Sequence, residues 1–285
     1  MTADGSLPIA TTIGRVALRV ADLERVSRFY ETVIGLDVRE RRGDRTILAA
    51  GGDPLLVLVE DPEAPPRRED ETGLFHTAFL VPSRAALGDA LERIEDRWRL
   101  EGSADHVVSE ALYLSDPEGN GVEVYRDLPS EAWPVADDGT IGIDTKPLDL
   151  DDIRNASRGR ESSPDATTVG HVHLEVSSLP AAREFYVDAL GMGIKQRLGE
   201  SALFVAAGDY HHHLGLNVWR QRSTPPRGRG LEWFELVVPG GGALAALRER
   251  LERREIDTTD AVDGDGFETA DPNGIRLRVR GDVPE

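Results

Sequence analysis

Gly14, Val16, Leu18, Val20 and Leu23 recur as Gly170, Val172, Leu174, Val176 and Leu179, an offset of 156 residues. At the same offset Phe29-Tyr30 meets Phe185-Tyr186, Gly35 meets Gly191, and Gly52-Asp53 meets Gly208-Asp209. The match runs without a gap through three local patterns. Residues 13–20 alternate in the manner of a strand with one buried face. Asp22 is placed to cap a helix that carries Phe29, Tyr30 and Val33 on one face and stops near Gly35. Residues 45–50 and 54–60 read as strands joined by the turn Gly51-Gly52-Asp53. A copy that keeps strand, helix and turn in register is an internal duplication, so this chain must fold as repeats of one unit.

A second unit follows each first one. Residues 73–82 form a strand pattern, 85–99 an amphipathic helix, and 111–114 and 121–126 two strands around Asp116-Pro117-Glu118-Gly119-Asn120. The counterpart runs from Gly230-Leu231 through a helix at 243–254 to Asp271-Pro272-Asn273-Gly274 and a last strand at 275–280. The chain therefore reads as an α+β protein of four βαβββ modules in two tandem pairs: a first domain at 12–128, an acidic linker at 129–167 that packs on the surface, and a second domain at 168–281. Residues 1–10 read as a loose arm.

Composition narrows the chemistry. The chain has no cysteine, which leaves histidine and carboxylate as the ligands for any metal, a set suited to iron, manganese, zinc or nickel. A net charge of -19 opposes binding to nucleic acid or to an anionic membrane. The lysines are Lys146 and Lys195; the other cations are arginines. Such an acid excess reads as adaptation to a cytoplasm of high salt, where screening relieves self-repulsion. No apolar run approaches the roughly 18 residues of a membrane span, and the N-terminus lacks the basic and apolar regions of a signal peptide. A cytoplasmic protein is expected.

Five of the seven histidines sit in two segments, Gly170-His171-Val172-His173 and Tyr210-His211-His212-His213. The other two, His76 and His106, lie in the first half with Glu123. Four modules, the helical Phe-Tyr pair and the Asp-Pro turn before a last strand resemble the vicinal oxygen chelate superfamily of glyoxalase I, bleomycin-resistance proteins and extradiol dioxygenases. Gly73-Leu74-Phe75-His76, Ser109 through Pro117, Gly119 through Glu123, Gly170 through Leu174 and Tyr210 through Asn217 resemble the Bacillus-type catechol 2,3-dioxygenase group more closely.

The resemblance implies curved sheets, each closing two modules around a divalent metal. It places ligands on the first strand of one module, the first strand of its partner and a final strand. Extradiol enzymes hold Fe(II) there with two histidines and a glutamate. In the first pair of modules those positions are Arg15, His76 and Glu123; in the second they are His171, Trp233 and Arg278. Arginine cannot ligate a metal, so neither sequential pair is complete. Either His76 and Glu123 take another third ligand, or modules two and three share a cavity and assemble His76, Glu123 and His171, or the site has decayed. His212, opposite Leu56 by the repeat offset, is a fourth candidate ligand.

The alternatives for single residues stay open at this point. Glu123 could pair with Arg15 instead of a metal. His106, oriented by Asp105, and His212 are candidate acid–base groups, since imidazole titrates near neutrality. Tyr113, Tyr125 and Tyr210 read as packing, or as phenols that bond oxygen held at a metal, and Arg220, Arg222, Arg227 and Arg229 as balance for the acidic surface, or as a hold for an anionic substrate group. The function implied is an extradiol ring-cleaving dioxygenase with Fe(II), or with Mn, Zn or Ni, acting on a small aromatic diol and dioxygen, with a homodimer allowed. A glyoxalase-like isomerase or lyase and a metal-free small-molecule binder are the alternatives.

Overall fold

The structure is a computed structural model that describes residues 5–261, 264 and 266–282. Module one comprises β1 (Thr12–Val20), α1 (Leu23–Phe29), β2 (Asp37–Arg42), β3 (Arg45–Ala50) and β4 (Asp53–Glu60). Module two comprises β5 (Gly73–Leu80), α2 (Arg84–Arg97), β6 (Gly102–Asp105), β7 (Ser109–Ser115) and β8 (Gly121–Asp127). The linker contributes α3 (Leu150–Asn155). Module three comprises β9 (Thr168–Glu175), α4 (Leu179–Arg183), β10 (Gly193–Leu198), β11 (Ala202–Ala206) and β12 (Leu214–Asn217). Module four comprises β13 (Gly230–Val238), α5 (Gly240–Glu252), β14 (Thr259–Asp260), β15 (Gly266–Ala270) and β16 (Arg276–Gly281).

The duplication is visible in backbone detail. Asp22 accepts from Arg25 N to start α1, and Ser178 accepts from Ala181 N to start α4. Each helix then widens into a π-helical turn, Tyr30–Ile34 and Glu184–Ala189. Gly35 and Gly191 follow with φ of 87° and 89°, a left-handed conformation that other residues resist. The two tyrosines then do the same work: Tyr30 donates to Asp116 Oδ2 at 3.3 Å and Tyr186 to Asp271 Oδ2 at 3.2 Å. Each half of the chain is thus pinned by a buried bond from its first helix to its last Asp-Pro turn.

The strands pair across the halves instead. One eight-stranded sheet runs β14-β15-β16-β13-β1-β4-β3-β2, and the other β10-β11-β12-β9-β5-β8-β7-β6. Module one therefore shares a sheet with module four, and module two with module three. The stretches 12–128 and 168–281 delimit the repeats in sequence, while hydrogen bonding crosses between them. The apolar faces of both sheets and the helices over them form one large core in which Tyr30, Phe79, Tyr186 and Phe234 are wholly or almost wholly enclosed.

Two loose-looking segments are anchored. Leu7 is buried and its N–H donates to Gly191 O, so the expected arm is held from residue 5 onward; residues 1–4 lie outside the described residues. In the linker, α3 buries Ile153 against α2, where Gly88 leaves the space. The linker also brings Trp133, Ile143 and Asp144 to the sheet of modules two and three.

Candidate metal centre

Two cross-strand rows lay out the site. In one, Glu123 on β8 faces Ala78 on β5, which faces His171 on β9. In the next, Gly121 faces His76, His76 faces His173, and His173 faces Gly215 on β12. Alternation puts all of these on one face of the sheet. Large groups are separated by Ala78, Gly121 and Gly215, and this small–large pattern lets the large ones meet above the sheet. At Gly121 an added Cβ would sit 2.0 Å from the Phe75 carbonyl oxygen, and at Gly215 2.2 Å from His173 Nε2.

The result is a convergence of donors. Glu123 Oε2 lies 2.8 Å from His76 Nε2 and 3.0 Å from His171 Nε2. All three residues are buried. His76 Nε2 is close to the carboxylate but outside hydrogen-bond geometry, so it is a buried nitrogen without a bonded partner. Ligand atoms about 2.1 Å from one metal and roughly at right angles stand about 3.0 Å apart. The spacing therefore fits ligands to a shared ion. His173 is close as well: one ring nitrogen from each of His76, His171 and His173 falls within 4.8 Å of the others.

Electrostatics point the same way. Burial works to raise the Glu123 carboxyl, but His171 and His76 outweigh it and hold it well below the usual carboxylate range. Burial pushes His171 down, against the pull of Glu123. His173 and His212 are pushed well below the usual imidazole range, first by burial and then by neighbouring histidines. An ionised carboxylate beside His171 and His173, both held toward the neutral form, suits a divalent metal. The residues fit a divalent ion.

The site opens into a cavity of about 790 Å3 walled by Phe75, Phe204, Trp219 and Tyr113. His106 reaches it, held differently from expectation. Its Nδ1 lies 2.8 Å from Asp144 O and its Nε2 2.7 Å from Tyr113 Oη. The Asp105 carboxylate instead accepts from Val107 N. A carbonyl can only accept, so His106 carries a proton on Nδ1, and its Nε2 faces the Tyr113 phenol. Tyr113 thus belongs to the site rather than to packing. His212 also lines the cavity, but its Nε2 faces His173 Nε2 at 3.0 Å, outside the three-histidine group. His211, His212 and His213 form a buried bend before β12 rather than part of an alternating strand.

The arginine patch divides. Arg220 and Arg222 line the cavity, and Arg222 joins Arg67 on buried Glu175. Arg229 reaches Glu118 and Ala64 O. Nothing local in the sequence marks Glu175 as buried, so these cations read there as surface balance or as a hold for an anionic group.

The corresponding face of the other sheet carries stacked cations instead of ligands. Arg278 stacks on Trp233 with its guanidinium carbon 3.9 Å from the ring centroid, and Arg15 lies 5.5 Å from it. Arg278 pairs with Glu268 and Arg15 with Glu235. Arg15 is therefore not the partner of Glu123. Stacked cations and their counter-charges fill the place of ligands.

Gly215→Ala tests this packing. The new methyl overlaps the His173 ring and must displace it from His212. Overpacking of this kind costs about 1–3 kcal/mol. Urea denaturation of the metal-free variant should show a lower midpoint with an unchanged slope, and metal affinity should fall as well.

Comparison with known proteins follows the same lines. The model of the Glyoxalase/Bleomycin resistance protein/Dioxygenase superfamily matches residues 12–124 and again 168–279. Catechol-2,3-dioxygenase of Bacillus subtilis (strain 168) is 40% identical over 272 residues, covering 92% of this chain and 94% of that protein. Among solved structures, a provisionally assigned dioxygenase from Bacillus subtilis superposes with a TM-score of 0.67 at 14% identity, covering 98% of this chain and 87% of that one. Glyoxalase I from Zea mays superposes with a TM-score of 0.57 at 15% identity, covering 95% and 92%. Identities this low bear on fold alone. Two tandem family matches and a full-length relative establish that this chain belongs to the glyoxalase, bleomycin resistance protein and dioxygenase superfamily.

Proposed function

We propose that this chain is a metal-dependent extradiol ring-cleaving dioxygenase for a catechol-type diol, with His76, His171 and Glu123 holding a divalent iron. The observation that carries the reading is the convergence of two imidazole nitrogens and one carboxylate oxygen at the floor of an aromatic-walled cavity. The 40% identical relative named as a catechol-2,3-dioxygenase supports the same class. A bound divalent iron supplies Lewis acidity toward the diol oxygens and electron transfer to dioxygen.

The chain's own residues bind, orient and move protons. Phe75, Phe204 and Trp219 form walls suited to a planar ring. With His106 neutral, the Tyr113 phenol donates to it, and the phenol oxygen is left to accept from a diol hydroxyl. A proton taken there passes along the same bond to His106 Nε2. His212, held neutral by burial, is a second acceptor that meets the cavity through His173, whose Nε2 lies 3.0 Å from its own.

His106→Phe should lower kcat by roughly 10²-fold, the usual scale for a lost acid–base group, with metal content unchanged. Steady-state oxygen uptake and metal analysis check this together. The class itself is tested on protein purified anaerobically in high salt. Near-stoichiometric iron, with oxygen uptake and a yellow ring-opened product on addition of catechol and air, is expected. Tightly bound zinc, nickel or manganese without oxygen uptake would instead support a glyoxalase-type reaction.

A further inference from the structure

Behind the cavity wall four side chains form a continuous polar line. Asp127 Oδ1 lies 2.9 Å from His211 Nε2, His211 Nδ1 lies 2.7 Å from His212 Nδ1, and His212 Nε2 lies 3.0 Å from His173 Nε2. The other Asp127 oxygen accepts from Tyr210 at 3.0 Å, and the Tyr210 and Tyr125 phenols are 2.7 Å apart. His211 is completely buried, with Trp133 of the linker edge-on to it at 5.2 Å. His212 and His173 line the cavity; Asp127 and His211 stand behind it.

An ionised Asp127 beside an uncharged His211 would fix the order of protons along this line. An ionised carboxylate only accepts, so His211 carries hydrogen on Nε2. Neutral His211 then presents a bare Nδ1, and the hydrogen between the two Nδ1 atoms belongs to His212. His212 in turn has a bare Nε2, which accepts from His173 Nε2. His173 Nδ1 is left bare, and it is indeed a buried nitrogen without a partner. A carboxylate three residues back thus sets the tautomers of three imidazoles in series.

We propose that Asp127 is a positioning residue that acts through His211 to fix His212 as its Nδ1–H tautomer, leaving Nε2 as an acceptor beside the cavity-lining His173. Its consequence for catalysis rests on the reading of His212 as an acid–base group. The tautomer assignment itself does not.

The test uses the full-length, metal-free protein with ¹⁵N-labelled imidazoles. Two-bond ¹H–¹⁵N correlation reads each tautomer, with peaks assigned through His211→Asn and His212→Asn. His211 as the Nε2–H form and His212 as the Nδ1–H form are expected. His212 observed as the Nε2–H form in the unaltered protein overturns the proposal without need of any Asp127 variant. Asp127→Asn offers an amide that donates to His211, so His212 should lose its Nδ1–H preference. Persistence of that preference in a folded Asp127→Asn protein also overturns the proposal.

Kinetics of the metal-loaded protein separate this inference from the reading beneath it. Asp127→Asn should lower kcat roughly 10²-fold with little change in KM or metal content. Equal kcat in the two proteins sinks the positioning role and leaves the dioxygenase reading standing. The expected tautomers in a protein that turns over no diol with any metal support the assignment and sink the dioxygenase reading.

Discussion

Glu123→Ala is expected to strip the protein of its divalent metal while leaving its fold intact. Glu123 supplies the carboxylate beside His76 and His171, and its Oε2 lies within 3.0 Å of both Nε2 atoms. Changes even to groups that only support a ligand cost 10–100-fold in affinity, so loss of a ligand should cost more than about 10²-fold. The fold should survive because β5, β8 and β9 are held by their backbone ladders, and Glu123 caps no element. Removal leaves buried His76 and His171 without their carboxylate partner, a cost of about 1–3 kcal/mol that lowers the Tm of the metal-free state without unfolding it.

The cleanest readout is thermal. A ligand that binds only the folded state stabilises it by about 4 kcal/mol at a thousand times its Kd. Metal should therefore raise the Tm of the unaltered protein and leave that of Glu123→Ala where it was. A metal-dependent Tm that persists in the variant would reassign the centre to His76, His171 and His173, the buried group that needs no carboxylate. His173→Ala would then become the variant that loses metal, and the two substitutions together decide the ligand set.

The sequence reads clearly where structure is local. The 156-residue repeat, the strands β1 and β9 and the capped helices are set by neighbours a few residues apart, and they appear in the structure with their caps and glycines in place, although β9 is buried on both faces instead of one. What sequence leaves open is long-range pairing. A module has two free sheet edges, and alternation along β5 says nothing about which strand lies beside it. The ladder that sets Ala78 opposite His171 is what brings His76, Glu123 and His171 together, so the incomplete triads of each half are resolved only in space. The same limit hid Asp127, whose role depends on His211 at the far end of the neighbouring module. It hid Trp133 too, since a linker tryptophan carries no periodic signal. Arg15 and Glu123 looked like possible partners because both follow strand patterns of one half; they belong to different sheets.

Glu175→Ala should be among the most destabilising single substitutions outside the metal centre. The carboxylate is 1% exposed at the end of β9. Arg67 Nη2 reaches it at 2.7 Å and Arg222 Nε at 2.9 Å, and both guanidiniums also bind backbone carbonyls around Glu71. These contacts tie β9 to the segment before β5 and to the segment after β12, the three pieces of chain that frame the cavity mouth. Removing the acid leaves two partly buried cations facing each other with no counter-charge, and breaking such a pair costs about 3–5 kcal/mol. For a chain of this size that corresponds to a fall of roughly 10 °C in Tm. Burial limits screening, so the deficit should persist in molar salt, where loss of an exposed pair such as Arg248–Asp260 has no measurable effect. Replacing Glu175, Arg67 and Arg222 together with apolar residues of similar volume should recover much of the loss, because removing every charge also removes the desolvation cost that the survivors bear. Arg220, 3.6 Å from Glu175 and on the cavity wall, loses its nearest acid in either variant. A Glu175→Ala protein with an unchanged Tm in both low and high salt would mean that the backbone carbonyls alone hold the two arginines.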